Sequence, residues 1–239
     1  MFVQHDHVSP PGPVGERFAQ RGYEVEEFLV VPAERYDTPG VDVTFPDPAD
    51  FDALVIMGAP WATYDHPLVG SWVQPELAML RRADGIGVPV MGICFGGQLL
   101  ATAHGGSVHR GEDHELGWHH VDTDRPDLVT RGPWFQWHFD RWITPPGVHD
   151  IARTAVAPQA FILRRNLAVQ FHPELDPVML DGWLNNGGTA ELIQLGYDPD
   201  EVVARTADEA PAARRRSHGL VDAFLATVAT ARVPIGWGP

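Results

Sequence analysis

The sequence runs to 239 residues, with 32 Asp and Glu against 17 Lys and Arg and a formal net charge of −15. That acidity argues against nucleic acid, whose binding rests on a positive surface. No apolar run approaches the ~20 residues of a membrane span. A single cysteine rules out an internal disulfide and fits a reducing, cytoplasmic setting.

MFVQHDHVSPPGP at the start lacks a basic region followed by an apolar stretch, so no secretory signal is expected. MFVQH reads as a short strand and PVGERFAQRG as an amphipathic helix closed by Gly22. His5 and His7 have the look of metal ligands, but no third ligand accompanies them, and two polar residues at a strand end is the plainer reading. YEVEEFLVV alternates like a strand, and FDALVIMG is an apolar run of buried-strand length. PLVGSWVQPELAMLRRADG reads as a helix with Pro75 expected in its first turn. VPVMGI is again a buried strand and FGGQLLATAHGG a helix stopped by a glycine pair. This βαβα alternation predicts an α/β fold, with a mostly parallel central sheet between helices.

The middle changes character. GSVHRGEDHELGWHHVDT and RTAVAPQAFILRRNLAVQFHPE carry strand-like stretches without long helices between them, as antiparallel additions to the sheet would. From Asp176 onward the pattern is helical and predicts a C-terminal layer, 176–239, on a single domain spanning 1–239.

Cys94 ends the VPVMGI strand and opens a helix, with Gly92 and Gly96 two residues before and after it. A buried, inert thiol is the commoner fate of a lone cysteine. The strand–turn–helix context instead fits G-x-nucleophile-x-G, a turn so sharp that side chains at −2 and +2 would collide. Such a turn lifts the sulfur out at the carboxyl edge of the sheet, and at a helix N-terminus the free N–H groups favour a thiolate. Of the 12 histidines, His172 in LAVQFHPEL stands out because it ends an apolar strand. Pro173 biases it to an extended conformation, in which His172 and Glu174 point to the same side. Cys94, His172 and Glu174 can thus supply nucleophile, base and orienting carboxylate.

GICFGGQ and QFHPE together resemble the nucleophile and His-x-Glu signatures of class I glutamine amidotransferases, in matching order and over essentially the whole chain. The resemblance implies a flavodoxin-like fold. It also implies hydrolysis of a γ-glutamyl amide, most simply glutamine, through a γ-glutamyl thioester, with no cofactor and no metal. DALVIMGAPWATYD resembles the oxyanion loop, with Gly58-Ala59-Pro60 where Gly-Gly-Pro is usual; Ala59 fits there only if its φ is negative. The oxyanion donors would be an N–H near Ala59 and that of Phe95. Gln98 matches a position that helps hold glutamine, although a polar residue in the first helical turns needs no such role. WFQWHFDRW resembles a WHGD-type segment that would place His138 and Asp140 near the substrate, and His138 competes with His172 as base. Trp134, Phe135, Trp137, Phe139 and Trp142 are either ordinary packing or an aromatic wall of that pocket.

The chain resembles small stand-alone members similar to the amidotransferase half of GMP synthase, and the γ-glutamyl peptidases. It contains no SGGxDS-type ATP-pyrophosphatase stretch, so the expected acceptor of any ammonia is a separate synthetase. The two enzyme readings differ in the leaving group: ammonia from glutamine, or a larger amine from a γ-glutamyl conjugate. A non-catalytic binding module would need a broken triad, and all three positions are filled.

Overall fold

Short apolar runs bounded by turns become buried strands, and the amphipathic runs between them become covering helices. The computed structural model describes residues 1–231; residues 232–239, the end of the expected C-terminal layer, lie outside the described residues. In chain order the elements begin with β1 (Phe2–Gln4), α1 (Gly12–Gln20), β2 (Glu27–Leu29), β3 (Leu54–Ile56), α2 (His66–Ile86), β4 (Val90–Ile93) and α3 (Phe95–Ala103). There follow β5 (Ser107–His120), β6 (Asp122–Thr123), β7 (Pro133–Ile143), β8 (Asp150–Arg153), β9 (Pro158–Leu163) and β10 (Asn166–Val169). The helices α4 (Pro177–Trp183), α5 (Thr189–Gln194) and α6 (Pro199–Ala223) close the described chain.

One eight-stranded sheet has the order β2-β1-β3-β4-β10-β9-β8-β6. The pairings from β2 to β10 are parallel, and those from β10 to β6 are antiparallel. A parallel sheet is covered on both faces, so alternate residues of one strand enter different cores. Phe2, Val55 and Met91 join the core that takes in Val14 and Phe18 of α1 and Leu220 of α6. Val3, Leu54, Ile56 and Val90 face the other core, with Trp72 and Leu80 of α2 and Leu99 of α3.

Two expectations need correction. β9, β8 and β6 are indeed antiparallel additions to the sheet, but β5 pairs with β7 as a separate two-stranded ribbon. The WFQWHFDRW segment forms one strand of the ribbon, whose residues 137–140 share a cavity with Cys94 at the carboxyl end of β4. Pro75 lies inside α2 rather than in its first turn, because Pro67 fills the helix-start position and the helix begins at His66. A proline there removes the N–H that Ser71 carbonyl would accept, but both residues are exposed, so water can take that carbonyl. No helix among the described residues is long and apolar enough to cross a membrane.

Candidate active site

The turn after β4 is strained where the chemistry would need it. Cys94 has φ 49° and ψ −106°, a conformation that L-residues avoid and that costs on the order of 1–3 kcal/mol unless its surroundings impose it. Two backbone hydrogen bonds impose it: Cys94 N–H donates to Val169 O at 2.8 Å and Gly96 N–H to Met57 O at 3.2 Å. Neighbouring strands thus clamp the turn from both sides.

The flanking glycines are required by contact. A Cβ on Gly92 would stand 2.5 Å from Gly96 O, the collision across the elbow that the spacing predicts. A Cβ on Gly96 would stand 2.1 Å from the Ile56 carbonyl oxygen, so that glycine is needed mainly against β3. Both obstacles are backbone and cannot swing aside. Gly96→Ala is therefore expected to destabilise the fold by about 3 kcal/mol, read as a lowered urea midpoint; an unchanged midpoint would contradict the packing described.

His172 follows β10 and is fixed from several directions. Its N–H donates to Phe135 O at 2.8 Å, its Nδ1 lies 2.8 Å from Glu174 Oε1, and the Trp183 ring meets it edge-on at 4.9 Å. Both His172 and Glu174 are buried. With Nδ1 turned to the carboxylate, Nε2 has no hydrogen-bond partner among the described residues and is the nitrogen left for Cys94. A Cβ on Gly58 would be 3.1 Å from His172 Cε1 and 3.9 Å from Cys94 Cβ, so ring, sulfur-bearing carbon and the Gly58 loop converge on one point. Burial alone would lower the His172 pKa; the Glu174 carboxylate and the Cys94 sulfur outweigh it and push the pKa up to about 10.

This point opens into a cavity of about 460 Å³, lined by Cys94, His172, Ala59, Gln98, His138 and Asp140 among others. Residues 15–182, more than half of the chain, match the family described as Glutamine amidotransferase class-I. The chain belongs to the class-I glutamine amidotransferases. It is 38% identical over 132 residues to the glutamine-hydrolysing GMP synthase of Macrococcus caseolyticus, covering 51% of this chain and 24% of that one. The GMP synthase of Rhizobium rhizogenes is 33% identical over 135 residues, covering 52% of this chain and 24% of that protein. The chain thus matches about a quarter of the length of these curated relatives. Among solved structures, a glutamine amidotransferase from Methylobacillus flagellatus superposes with a TM-score of 0.81 at 23% identity, covering 100% of this chain and 98% of that one. Another from Thermotoga maritima gives 0.80 at 20% identity, covering 95% and 97%. Those two likenesses establish the fold: a class-I amidotransferase sheet with its antiparallel strands, flanking helices and C-terminal helices.

Within this amidotransferase the remaining expected residues divide. Ala59 lines the cavity and is not among the residues of positive φ, so the departure from Gly-Gly-Pro carries no backbone strain. Among the described residues no protein acceptor takes the N–H of Ala59 or of Phe95. Gln98 is turned inward: its amide nitrogen lies 3.3 Å from Asp140 O and 3.4 Å from Gln170 Oε1. His138 does not approach the cysteine as a rival base. Its Nε2 lies 3.2 Å from the buried Glu115 carboxylate and its Nδ1 3.0 Å from Asp140 O. Asp140 accepts a 2.9 Å hydrogen bond from the Tyr64 hydroxyl, and burial together with that carboxylate pushes the Tyr64 pKa up to about 12. Of the aromatic block, Trp134, Phe135 and Trp142 are buried core residues, whereas Trp137 and Phe139 line the cavity.

Sequence reasoning missed Gln170, whose Nε2 donates to Cys94 Sγ at 3.5 Å. The signal was present, since Gln170 precedes His172 by two residues on the same extended segment and so points to the same side. It also missed Arg110, which sits directly across the ribbon from Asp140, lines the cavity and lies over the Phe139 ring at 4.6 Å. Among the described residues no group of three or more His, Cys, Asp or Glu side chains is placed to hold a metal. His7 packs edge-on against Tyr36, and His5 turns inward to a different partner.

Proposed function

We propose that this chain hydrolyses the side-chain amide of a γ-glutamyl compound, most simply L-glutamine, with Cys94 as nucleophile, His172 as acid and base, and Glu174 as the orienting carboxylate. The observation that carries this reading is the strained presentation of Cys94 beside a histidine whose other nitrogen is committed to Glu174. The Cys94 thiolate adds to the γ-carbonyl carbon, and the oxyanion forms between the free N–H groups of Ala59 and Phe95. His172 gives its Nε2 proton to the leaving nitrogen as the C–N bond breaks, leaving a γ-glutamyl thioester. Water then gives a proton to His172 and adds to the thioester, and the C–S bond breaks to release glutamate. No cofactor or metal enters these steps.

The head group of a γ-glutamyl substrate carries a carboxylate and an ammonium. Arg110 and Asp140, opposite one another at the cavity, have the charges to receive them. In this arrangement Gln98 and His138 act from behind, holding the Asp140 backbone carbonyl and Gln170 in place.

A second leaving group is favoured by the cavity itself. Its 460 Å³ falls within the roughly 300–1,000 Å³ of pockets that enclose drug-sized ligands. Trp61, Trp137, Trp183 and Tyr36 line it. That is room, and apolar surface, for an amine larger than ammonia, as a γ-glutamyl peptidase would release. If ammonia is the product, the partial match to GMP synthases supports a separate synthetase as its acceptor. A nucleophilic thiol must stay reduced, which favours a reducing, cytoplasmic setting. We take 1–239 to act as one domain, with 176–239 as its helical extension.

The test is to incubate the protein with glutamine and, separately, with γ-glutamyl amine and peptide conjugates, then quench in acid and analyse the Cys94 peptide by mass spectrometry. A γ-glutamyl thioester with release of ammonia or amine is expected. Neither adduct nor product from any of these compounds would defeat the proposal.

A further inference from the structure

Beneath the Gly58–Ala59 peptide lies a buried ionisable pair that the steps above do not use. His5 follows β1 at its carboxyl end, Glu76 lies midway along α2, and both are fully buried. His5 Nε2 is 3.1 Å from each Glu76 carboxylate oxygen, and His5 Nδ1 is 3.0 Å from the Gly58 carbonyl oxygen. A carbonyl oxygen only accepts, so Nδ1 carries a proton, and against an ionised Glu76 the Nε2 carries the second, which makes the ring an imidazolium. Its surroundings suit a cation. Trp72 stacks on the ring at 5.4 Å and Phe95 meets it at 4.8 Å. Asp6, the other nearby ionisable group, is engaged by Val8 N–H and the Ser9 hydroxyl. Burial alone would lower the His5 pKa, but Glu76, with a smaller part from the Gly58 carbonyl, raises it above the ordinary value.

Core stability does not account for the pair. Buried ion pairs are often matched or bettered by apolar residues of similar volume, so a charged pair amid Trp72 and Phe95 needs another reason. Peptide geometry supplies one. In a trans peptide the C=O and N–H point in opposite directions. Holding Gly58 O down into the core turns the Ala59 N–H up toward the cavity, beside Cys94 and His172. A cation on the carbonyl also polarises the peptide and makes its N–H a stronger donor.

We propose that His5 and Glu76 are positioning residues for the oxyanion donor, a buried imidazolium–carboxylate pair that clamps and polarises the Gly58–Ala59 peptide. The proposal rests on the reading of Cys94 as an acyl-transfer nucleophile. Neither residue touches substrate.

The decisive variants are His5→Phe/Glu76→Leu, which replaces the pair with apolar groups, and Glu76→Gln, which keeps a partner for Nε2 but removes the charge. Four readouts are compared with the unaltered protein: kcat and KM for the γ-glutamyl amide, alkylation of Cys94 by iodoacetamide, thermal midpoint, and the ¹H–¹⁵N amide resonance of Ala59, read as its shift and order parameter. Alkylation forms no oxyanion, so it separates the clamp from the nucleophile. Loss of one oxyanion donor costs about 10²–10³ in kcat, so the paired variant is expected to fall about 100-fold and Glu76→Gln about tenfold, with KM within about twofold. Alkylation and thermal midpoint are expected to hold, and the Ala59 amide resonance to shift and its order parameter to fall. An active unaltered protein whose kcat is unmoved in these variants would overturn the clamp and leave the hydrolase reading intact. If the paired variant does not fold, Glu76→Gln decides by the same readouts. If the unaltered protein turns over no γ-glutamyl amide, the hydrolase reading fails, and the Ala59 amide resonance alone judges the clamp: a shifted, less ordered amide sustains it, an unchanged one overturns it.

Discussion

Cys94→Ala is expected to lower glutamine hydrolysis by about 10⁴-fold or more, because it removes the atom that forms the thioester. The removed atom is one sulfur, and alanine inherits the same φ of 49°. The folded protein therefore keeps its strained turn, and its stability is expected to stay within about 1 kcal/mol. A midpoint by denaturant melting and a steady-state assay on the same sample check both halves. Residual turnover within tenfold of the parent would remove Cys94 from the mechanism. Cys94→Ser is expected to be nearly as inactive, since a hydroxyl of ordinary acidity does not ionise at neutral pH.

The second large effect concerns the His172–Glu174 pair. His172→Ala removes both the proton donor to the leaving nitrogen and the base for water, and is expected to lower kcat by about 10³-fold or more. Glu174→Gln is milder and more informative. A glutamine oxygen can still accept from Nδ1–H, so the ring keeps its orientation while the charge is lost; a fall of about 10- to 100-fold in kcat/KM is expected. The pH dependence distinguishes this loss from simple disruption. His172 is pushed up from an ordinary 6.5 to about 10, first against burial and then by Glu174 and Cys94. A group raised on folding stabilises the protein fully below its unfolded pKa, and that contribution disappears as pH rises through the folded value. Stability from His172 is therefore present in full below about 6.5 and lost on approach to pH 10, and the alkaline limb of kcat/KM is expected near pH 10. In Glu174→Gln that limb is expected at lower pH, and the stability profile between these limits is expected to flatten. A limb that does not move would show that Glu174 does not set the charge of His172.

The local signals were strong wherever chemistry and chain geometry coincide within a few residues. Glycines around a cysteine between strand and helix, and a His-Pro-Glu run at a strand end, each describe a backbone path. That path fixes side-chain direction before any tertiary contact forms. Gln170 was legible by the same alternation. Pro75 was misplaced because the helix start depends on Pro67 and on the exposure of Ser71, and exposure is not a local property. The ribbon of β5 and β7 was only partly foreseen, since two strands joining each other rather than a sheet edge is a choice among long-range pairings.

By itself, then, the sequence determined the strand–helix alternation, the elbow at Cys94 and the His172–Glu174 alignment, because periodicity and steric exclusion act between near neighbours. Only the tertiary structure decided which residues far apart along the chain meet. It directed His138 to Glu115 instead of Cys94, set Arg110 across from Asp140, and put His5 against Glu76 under the oxyanion peptide. Glu76 stands on the buried face of α2. Which histidine met it followed from strand order, which brings the end of β1 beneath α2 and beside β3.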